Sequence, residues 1–410
     1  MTSEPTGSDL ADEERERLLG LVENLQIPTA PAATEVRRRA DSRRRTRHAV
    51  VGSAAVVVLI VLGAISPLGS DIEIMTGPST ESASQPEVRS GWVWHDSEQI
   101  VSRDGSPSGY ATRVLPDAAQ VVIVLGDAAT CLSPQTCAES PERFGADEFS
   151  RLMSRSTDLP ALAPTTLAGP DSQFADADIV WIPLVTGDMH LGSTSDATVA
   201  GVDEPQQFVG RRNVSAVLDD LEQFDWLDPS QRVLLMGSGA GGIGAIANYT
   251  SVAERFGDRD VALLVDDAPL FPTGDVFRRC QASAWISTFG LTRPERWPGD
   301  LAKGPDAIGE VYSYLSRLHP EASMGLIVSP DDAATRRVYT TEIRGCAPRA
   351  GELAPTTYAV AAEDLAARVS QLPSWTVVLS DTGDALDDAL RGAPGPTTAE
   401  IDRLIDAVAR

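Results

Sequence analysis

The sequence predicts a doubly wound α/β domain with a mostly parallel sheet, preceded by one transmembrane helix. Three observations predict this class: a long uncharged apolar stretch near the N-terminus, a series of short apolar runs after residue 91, and helical patterns that alternate with those runs. Strands that are apolar on both faces and alternate with helices are typical of a parallel sheet covered on both sides.

The transmembrane helix is predicted at residues 49–68, AVVGSAAVVVLIVLGAISPL, which contain no charged residue. About twenty residues at helical rise span roughly 30 Å, the thickness of the hydrocarbon core. Seven arginines lie within residues 37–47, whereas the first charges after the apolar stretch are Asp71 and Glu73. The positive-inside rule therefore predicts a single-pass protein of the cell membrane, with a cytoplasmic N-terminus and an extracytoplasmic main domain.

A cleavable signal peptide is the alternative interpretation of this stretch. The apolar run begins only at residue 49, and Pro67 stands where cleavage would fall, so an uncleaved anchor is favoured.

The rest of the chain divides by composition. Residues 1–48 are predicted to be a cytoplasmic, largely disordered, Arg-rich tail. Residues 69–90 are rich in Ser, Thr, Pro and Gly and are predicted to be a linker. Residues 91–410 are long enough for one large folded domain.

Six apolar runs in this domain are predicted strands, and three stretches between them have helical periodicity. The predicted strands are Val121–Leu125, Ile179–Pro183, Val233–Met236, Val261–Val265, Met324–Val328 and Thr376–Leu379. The predicted helices are Asn213–Phe224, Ala240–Arg255 and Ala359–Leu372.

Charge and cysteine content narrow the class of protein further. The net charge of -25 argues against nucleic acid as a partner. Disulfides persist outside the cytoplasm, and the four cysteines all follow the predicted membrane segment. The close pair Cys131 and Cys137 is the obvious first bridge, which leaves Cys280 with Cys346, although the sequence leaves the two other pairings open.

The most informative segment is Gln231–Asn248, QRVLLMGSGAGGIGAIAN, where an apolar strand passes through a glycine-rich turn into a helix. This is the layout of a nucleophile elbow, Gly-x-Ser-x-Gly, whose central serine lies at the start of the helix. Here Gly237 and Gly241 flank the motif, and the central residue is Gly239 instead of serine.

Two other interpretations of this turn remain. Ser238 is an alternative nucleophile one residue early, but Met236 would then stand at a tight position of the turn. Alternatively, Gly237, Gly239 and Gly242 fit G-x-G-x-x-G, a pattern that binds phosphate or packs a helix against a sheet.

At these residues the chain resembles the pectin acetylesterase and Notum-like carboxylesterases of the α/β-hydrolase superfamily. The segment from Trp181 to Gly192, WIPLVTGDMHLG, is similar to that family's PYCTGDxHxG segment. Residues 210–218 resemble its helix with the pattern G..N..AVLD, and residues 237–242 resemble its GxSAGG elbow. Asp267 stands at the aspartate of the family's DSG pattern.

The resemblance implies a Ser-Asp-His triad and an oxyanion hole, from which most catalytic residues are missing here. Gly239 occupies the serine position, and Asp332 corresponds to the family's acid. The family's histidine follows the last strand, where this chain has Asp384 near the equivalent position. Asp127 replaces a glycine of the oxyanion loop, and a carboxylate there would oppose a developing oxyanion.

The resemblance also indicates a pocket shaped by the oxyanion loop, the TGDxHxG segment and the residue after the following strand. These predicted pocket residues are Asp127, Ala128, Thr186, Gly187, Asp188, His190 and Asp267. Asp188 and His190 are two potential ligands, which are too few for a metal site. We therefore expect neither a metal nor a cofactor.

Three hypotheses for function follow. The first is a degenerate hydrolase, a pseudoenzyme that serves as a binding or structural module for a cell-envelope glycan or a protein. The second is an active carboxylic-ester hydrolase, an acetylesterase that uses a displaced nucleophile such as Ser238 with Asp332 and a displaced histidine. The third is an envelope protein with a related sheet and an unrelated activity.

Overall fold

The structure is a computed structural model that describes residues 91–224, 227–228, 230–257, 260–340, 346, 353–383, 385–393 and 396–409. The predicted tail, transmembrane helix and linker lie outside these residues, as does Asp384. Across the described ranges, every helix is too short or too polar to cross a bilayer. The anchor and the domain boundaries remain predictions.

Within the described residues, ten strands form one eight-stranded sheet and one two-stranded sheet. The strands are β1 (Trp92–Val101), β2 (Pro107–Arg113), β3 (Gln120–Leu125), β4 (Asp178–Ile182), β5 (Thr194–Ala197), β6 (Gln206–Phe208), β7 (Arg232–Ser238), β8 (Val261–Asp266), β9 (Met324–Val328) and β10 (Trp375–Leu379).

The same part of the chain forms eleven α-helices and a 3-10 helix at Gly304–Glu310. The α-helices are α1 (Pro134–Glu139), α2 (Ala146–Met153), α3 (Pro164–Leu167), α4 (Gly210–Leu221), α5 (Gly239–Phe256), α6 (Arg279–Phe289), α7 (Val311–Leu318), α8 (Ala333–Thr340), α9 (Pro355–Val369), α10 (Ala385–Leu390) and α11 (Pro396–Ala409).

The large sheet has the strand order β1-β2-β4-β3-β7-β8-β9-β10. In this order, each pair of neighbours from β4 onwards is parallel. The pairs β1–β2 and β2–β4 are antiparallel. The six predicted strands are the six parallel ones, so the predicted mostly parallel α/β sheet is confirmed.

The core lies on both faces of this sheet because successive side chains of a strand point to opposite sides. In β3, Val121 and Ile123 pack into one apolar cluster with α4, α5 and α6. Val122 and Val124 pack into a second cluster with α2, α10 and α11. Burial on both faces explains why the parallel strands are continuous apolar runs.

Candidate active site

The candidate site lies at the carboxyl ends of β3 and β7, where the direction of strand addition reverses. The chain continues from β3 to β4 on one side of the sheet and from β7 to β8 on the other, and β3 and β7 are neighbours. Open α/β sheets bind ligands at such a switch point. The residues that follow the two strands include Asp127 and Gly239, so the structure brings together two positions that the sequence singled out.

Gly239 has the backbone conformation of a nucleophile elbow. It begins α5 directly after β7 and has φ +53, in the left-handed region. A Cβ on Gly237 would lie 2.4 Å from the Gly241 carbonyl carbon, so the strand and the helix approach too closely there for any side chain. The chain therefore makes a sharp strand-to-helix turn here, with a glycine at its centre.

The carboxylate of Asp127 lies where a side chain on Gly239 would begin. A Cβ on Gly239 would be 3.0 Å from Asp127 Oδ1. The N-H of Ala240 donates to Asp127 Oδ1 at 2.9 Å, and the N-H groups of Ala128 and Gly241 also donate to this carboxylate. The residue after the nucleophile supplies one oxyanion-hole donor in α/β-hydrolases, and here Ala240 donates to an internal anion.

The pKa of Asp127 is raised to about 6, chiefly by burial, and the three backbone N-H donors and the nearby Asp332 act on it in opposite directions. The donors lower the pKa because they stabilise the charged form, and the negative Asp332 raises it. Asp127 is therefore mostly ionised at neutral pH.

The alternative nucleophile Ser238 faces a carboxylate instead of a histidine. Its hydroxyl donates to Asp266 Oδ2 at 3.3 Å, and only 5% of the residue is exposed. Ser238 is the last residue of β7 and pairs with Asp266 in the neighbouring strand β8.

The three histidines of the described ranges have other hydrogen-bond partners. His95 Nε2 contacts Thr112 Oγ1 at 2.7 Å, and His319 Nε2 contacts Thr250 Oγ1 at 3.3 Å. His190 Nε2 contacts the Gly126 carbonyl oxygen at 3.0 Å. Across the described residues, none of these rings hydrogen-bonds to Ser238.

Asp332 lies next to the loop that follows β10. A Cβ on Gly383 in that loop would be 3.1 Å from Asp332 Cγ. Asp332 also caps α8, since its two oxygens accept the N-H groups of Ala334 at 2.7 Å and Thr335 at 2.9 Å. Asp384 lies outside the described residues.

The TGDxHxG segment forms an internal brace for the loop after β3. Asp188 is fully buried and accepts hydrogen bonds from Thr186 Oγ1 and the Gly210 N-H, both at 2.7 Å. Burial raises the pKa of Asp188 to about 6. The Gly187 carbonyl accepts the N-H of Cys131 at 2.8 Å, which ties the segment to the chain after β3.

His190 completes this brace as a neutral ring. Burial lowers its pKa to about 4, so Nε2-H donates to the carbonyl of Gly126, directly before Asp127. The carbonyl of His190 accepts from Asn248 Nδ2 at 3.0 Å, which links the segment to α5. His190 thus holds the loop after β3 and α5 in register and is a positioning residue.

Asp267 joins the ends of β8 and β9 beneath the site. It has φ +44, and its Oδ1 accepts the N-H of Ser329 at 2.8 Å. Its carbonyl accepts the hydroxyl of Thr335 at 2.9 Å. This predicted pocket residue is 3% exposed and belongs to the framework under Asp332.

Two structural features of the site were not identified from the sequence. One is Gly210, whose N-H donates to Asp188. Its place as the glycine that begins the G..N helix was the signal that could have identified it. The other is the donor set of Asp127, which depends on the proximity of β3 and β7.

Two disulfides link Cys131 with Cys137 and Cys280 with Cys346. The expectation of disulfides is therefore confirmed, with the pairing that the close spacing favoured. The first bridge links the loop after β3 to α1, next to the site.

Residues 87–283 match the family model for pectinacetylesterase. A comparison with curated proteins found no match. Among solved structures, the chain is similar to the Wnt deacylase Notum from Drosophila in crystal form II at 1.9 Å, with 19% identity, a TM-score of 0.48, and 70% of this chain and 83% of that chain covered. For crystal form I at 2.4 Å the identity is 19%, the TM-score 0.47, and the covered shares are 70% and 82%.

Proposed function

Since this chain resembles the pectinacetylesterase family over residues 87–283, we propose that its domain is a degenerate esterase that binds a cell-envelope glycan or protein. The single observation that carries this proposal is the hydrogen bond from the Ala240 N-H to the carboxylate of Asp127. The donor that would stabilise a developing oxyanion is already occupied by a negative charge of the protein itself.

The magnitude of this effect argues against ester hydrolysis. Loss of one oxyanion-hole donor costs roughly 10²–10³ in kcat. Beyond that loss, two unit negative charges about 4 Å apart repel by about 4 kcal/mol at an effective dielectric constant of 20. Gly239 also argues against ester hydrolysis, because it provides no nucleophile.

The competing hypothesis, an acetylesterase that uses Ser238, requires a base within hydrogen-bond reach of the serine. Ser238 donates to Asp266 instead, and its hydroxyl is buried at the strand end. Both features favour a structural role for this serine.

Fluorophosphonate labelling of the purified full-length chain tests the loss of catalysis. We expect no labelling of the wild type. Labelling of the wild type that disappears in Ser238→Ala would overturn the proposal and support an active hydrolase. The double variant Asp127→Gly, Gly239→Ser restores the motif residues and tests whether the elbow alone can react.

Binding is tested by co-sedimentation of the chain with isolated cell-envelope polysaccharide. Retention that persists in Ser238→Ala and weakens on substitution near the site, for example in Asp127→Arg, supports glycan binding. Unchanged retention in Asp127→Arg would contradict binding at this site. A circular dichroism spectrum matched to the wild type serves as the folding control.

The proposal includes a single-pass membrane anchor with the domain outside the cytoplasm. It is supported by the uncharged residues 49–68, the arginines that precede them, and the two disulfides of the domain. Protease added to intact cells should degrade the domain and spare an N-terminal epitope tag. Degradation of the domain only after lysis would contradict this topology.

A further inference from the structure

A groove lined by residues of β1, α4 and the segment before β5 lies apart from the candidate active site. Its volume is about 340 Å³, and its lining residues are Gln99, Ser193, Arg211, Arg212, Ser215, Ala216 and Asp219. None of these residues contributes to the site around Asp127. The volume lies at the lower end of the range for small-molecule sites.

The two arginines of the groove differ in what holds them. The guanidinium of Arg212 donates to the carbonyl of Ser193 and to Ser195 Oγ, so it is fixed against the wall. Arg211 is held through its backbone N-H, which donates to the Gly192 carbonyl at 3.1 Å. Among the described residues, the guanidinium of Arg211 has no hydrogen-bond or ion-pair partner.

The acidic residue of the groove does not neutralise Arg211. Asp219 forms an ion pair with Arg255, and Arg255 also pairs with Glu222 at 2.9 Å. The groove therefore presents a free guanidinium in a chain of net charge -25. This guanidinium lines a concave surface, where an anion in the groove can contact it.

We propose that this groove binds the oxyanion group of a small ligand, a carboxylate or a phosphate, with Arg211 as its main contact. A guanidinium offers a planar fork of donors that matches both groups bidentately. The exposed Gln99 and Ser215 side chains supply further polar contacts at the rim. Arg212 contributes positive charge from a fixed position.

Isothermal titration of the full-length chain with inorganic phosphate and, separately, with citrate tests the proposal. We expect saturable binding in the millimolar range, about 1 mM, and weakening of about tenfold in Arg211→Ala, since that variant loses a charge-assisted contact. Arg403→Ala changes the net charge equally at an exposed site that pairs with Glu400 only at 3.9 Å, and it should bind like the wild type.

The two arms of the experiment identify the source of the oxyanion. Preference for phosphate or for citrate assigns the ligand to that chemical class. Absence of saturable binding by the wild type, or equal binding by Arg211→Ala and the wild type, would overturn the proposal. Because Arg211 is separate from the Asp127 site, the outcome of these titrations is independent of the outcome of fluorophosphonate labelling.

Discussion

Asp127→Asn is expected to change how the stability of the domain depends on pH. Burial raises the pKa of this carboxyl from 3.8 to about 6 in the folded protein. A raised pKa means that the folded state binds a proton more tightly than the unfolded state between these two values. Stability associated with Asp127 is therefore present at low pH and is lost as pH rises from about 4 to about 6.

The size of the effect follows from the shift. At about 1.36 kcal/mol per pKa unit, the ionised carboxylate costs the folded state up to about 3 kcal/mol at neutral pH. An asparagine does not ionise, and its single oxygen keeps one of the acceptor positions for the backbone donors. The free energy of unfolding of Asp127→Asn, minus that of the wild type, should increase by up to about 3 kcal/mol between pH 4 and pH 7.

Urea unfolding followed by tryptophan fluorescence at several pH values between 4 and 8 measures this difference. Subtraction of the wild-type curve removes the contributions of Asp188 and other carboxyls, which are common to both proteins. Glu363→Gln, an exposed position on α9, is the charge-matched control and should give a nearly constant difference. A constant difference for Asp127→Asn as well would refute the raised pKa of this half-buried carboxyl group.

Three further predictions concern the same framework. Gly239→Ala should lower the free energy of unfolding by about 1–3 kcal/mol, because φ is +53 and the new Cβ would be 3.0 Å from Asp127 Oδ1. Urea unfolding should show a smaller cost of Gly239→Ala when the protein also carries Asp127→Gly. Equal costs with and without Asp127→Gly would contradict the contact. His190→Ala should cost about 1–3 kcal/mol, because the buried Gly126 carbonyl loses its donor; a wild-type stability in the same assay would argue against the brace. Loss of the Cys280–Cys346 bridge should cost about 4 kcal/mol and loss of Cys131–Cys137 about 2 kcal/mol, because the sequence separations are 66 and 6; the reverse order in Cys→Ser pairs would contradict the chain-entropy estimate.

The ionisation of His190 has the opposite effect on stability to that of Asp127. Its pKa is lowered to about 4 in the folded protein, so the unfolded state binds the proton more tightly between pH 4 and pH 6.5. This contribution to stability is present above pH 6.5 and is lost as pH falls toward 4. The wild-type pH profile combines both residues, and the single variants separate them.

The apolar strands were predictable because parallel strands buried on both faces have continuous apolar side chains. All six predicted strands agree with β3, β4, β7, β8, β9 and β10 to within about two residues at each end. The hairpin of β1 and β2 was not predicted. In β1, the buried Trp92 and Trp94 flank the exposed Val93, and such an alternating strand at a sheet edge lacks a continuous apolar run.

The sequence by itself also determined which catalytic groups are available: glycine stands at the centre of the elbow, and no histidine follows the last strand among residues 380–410. Only the tertiary structure decided what occupies the site instead. The hydrogen bond from Ala240 to Asp127 joins residues 113 positions apart, and it exists because β3 and β7 are neighbours in the sheet. Strand order depends on the packing of all the helices and strands together, so no local pattern around either residue could have determined that contact.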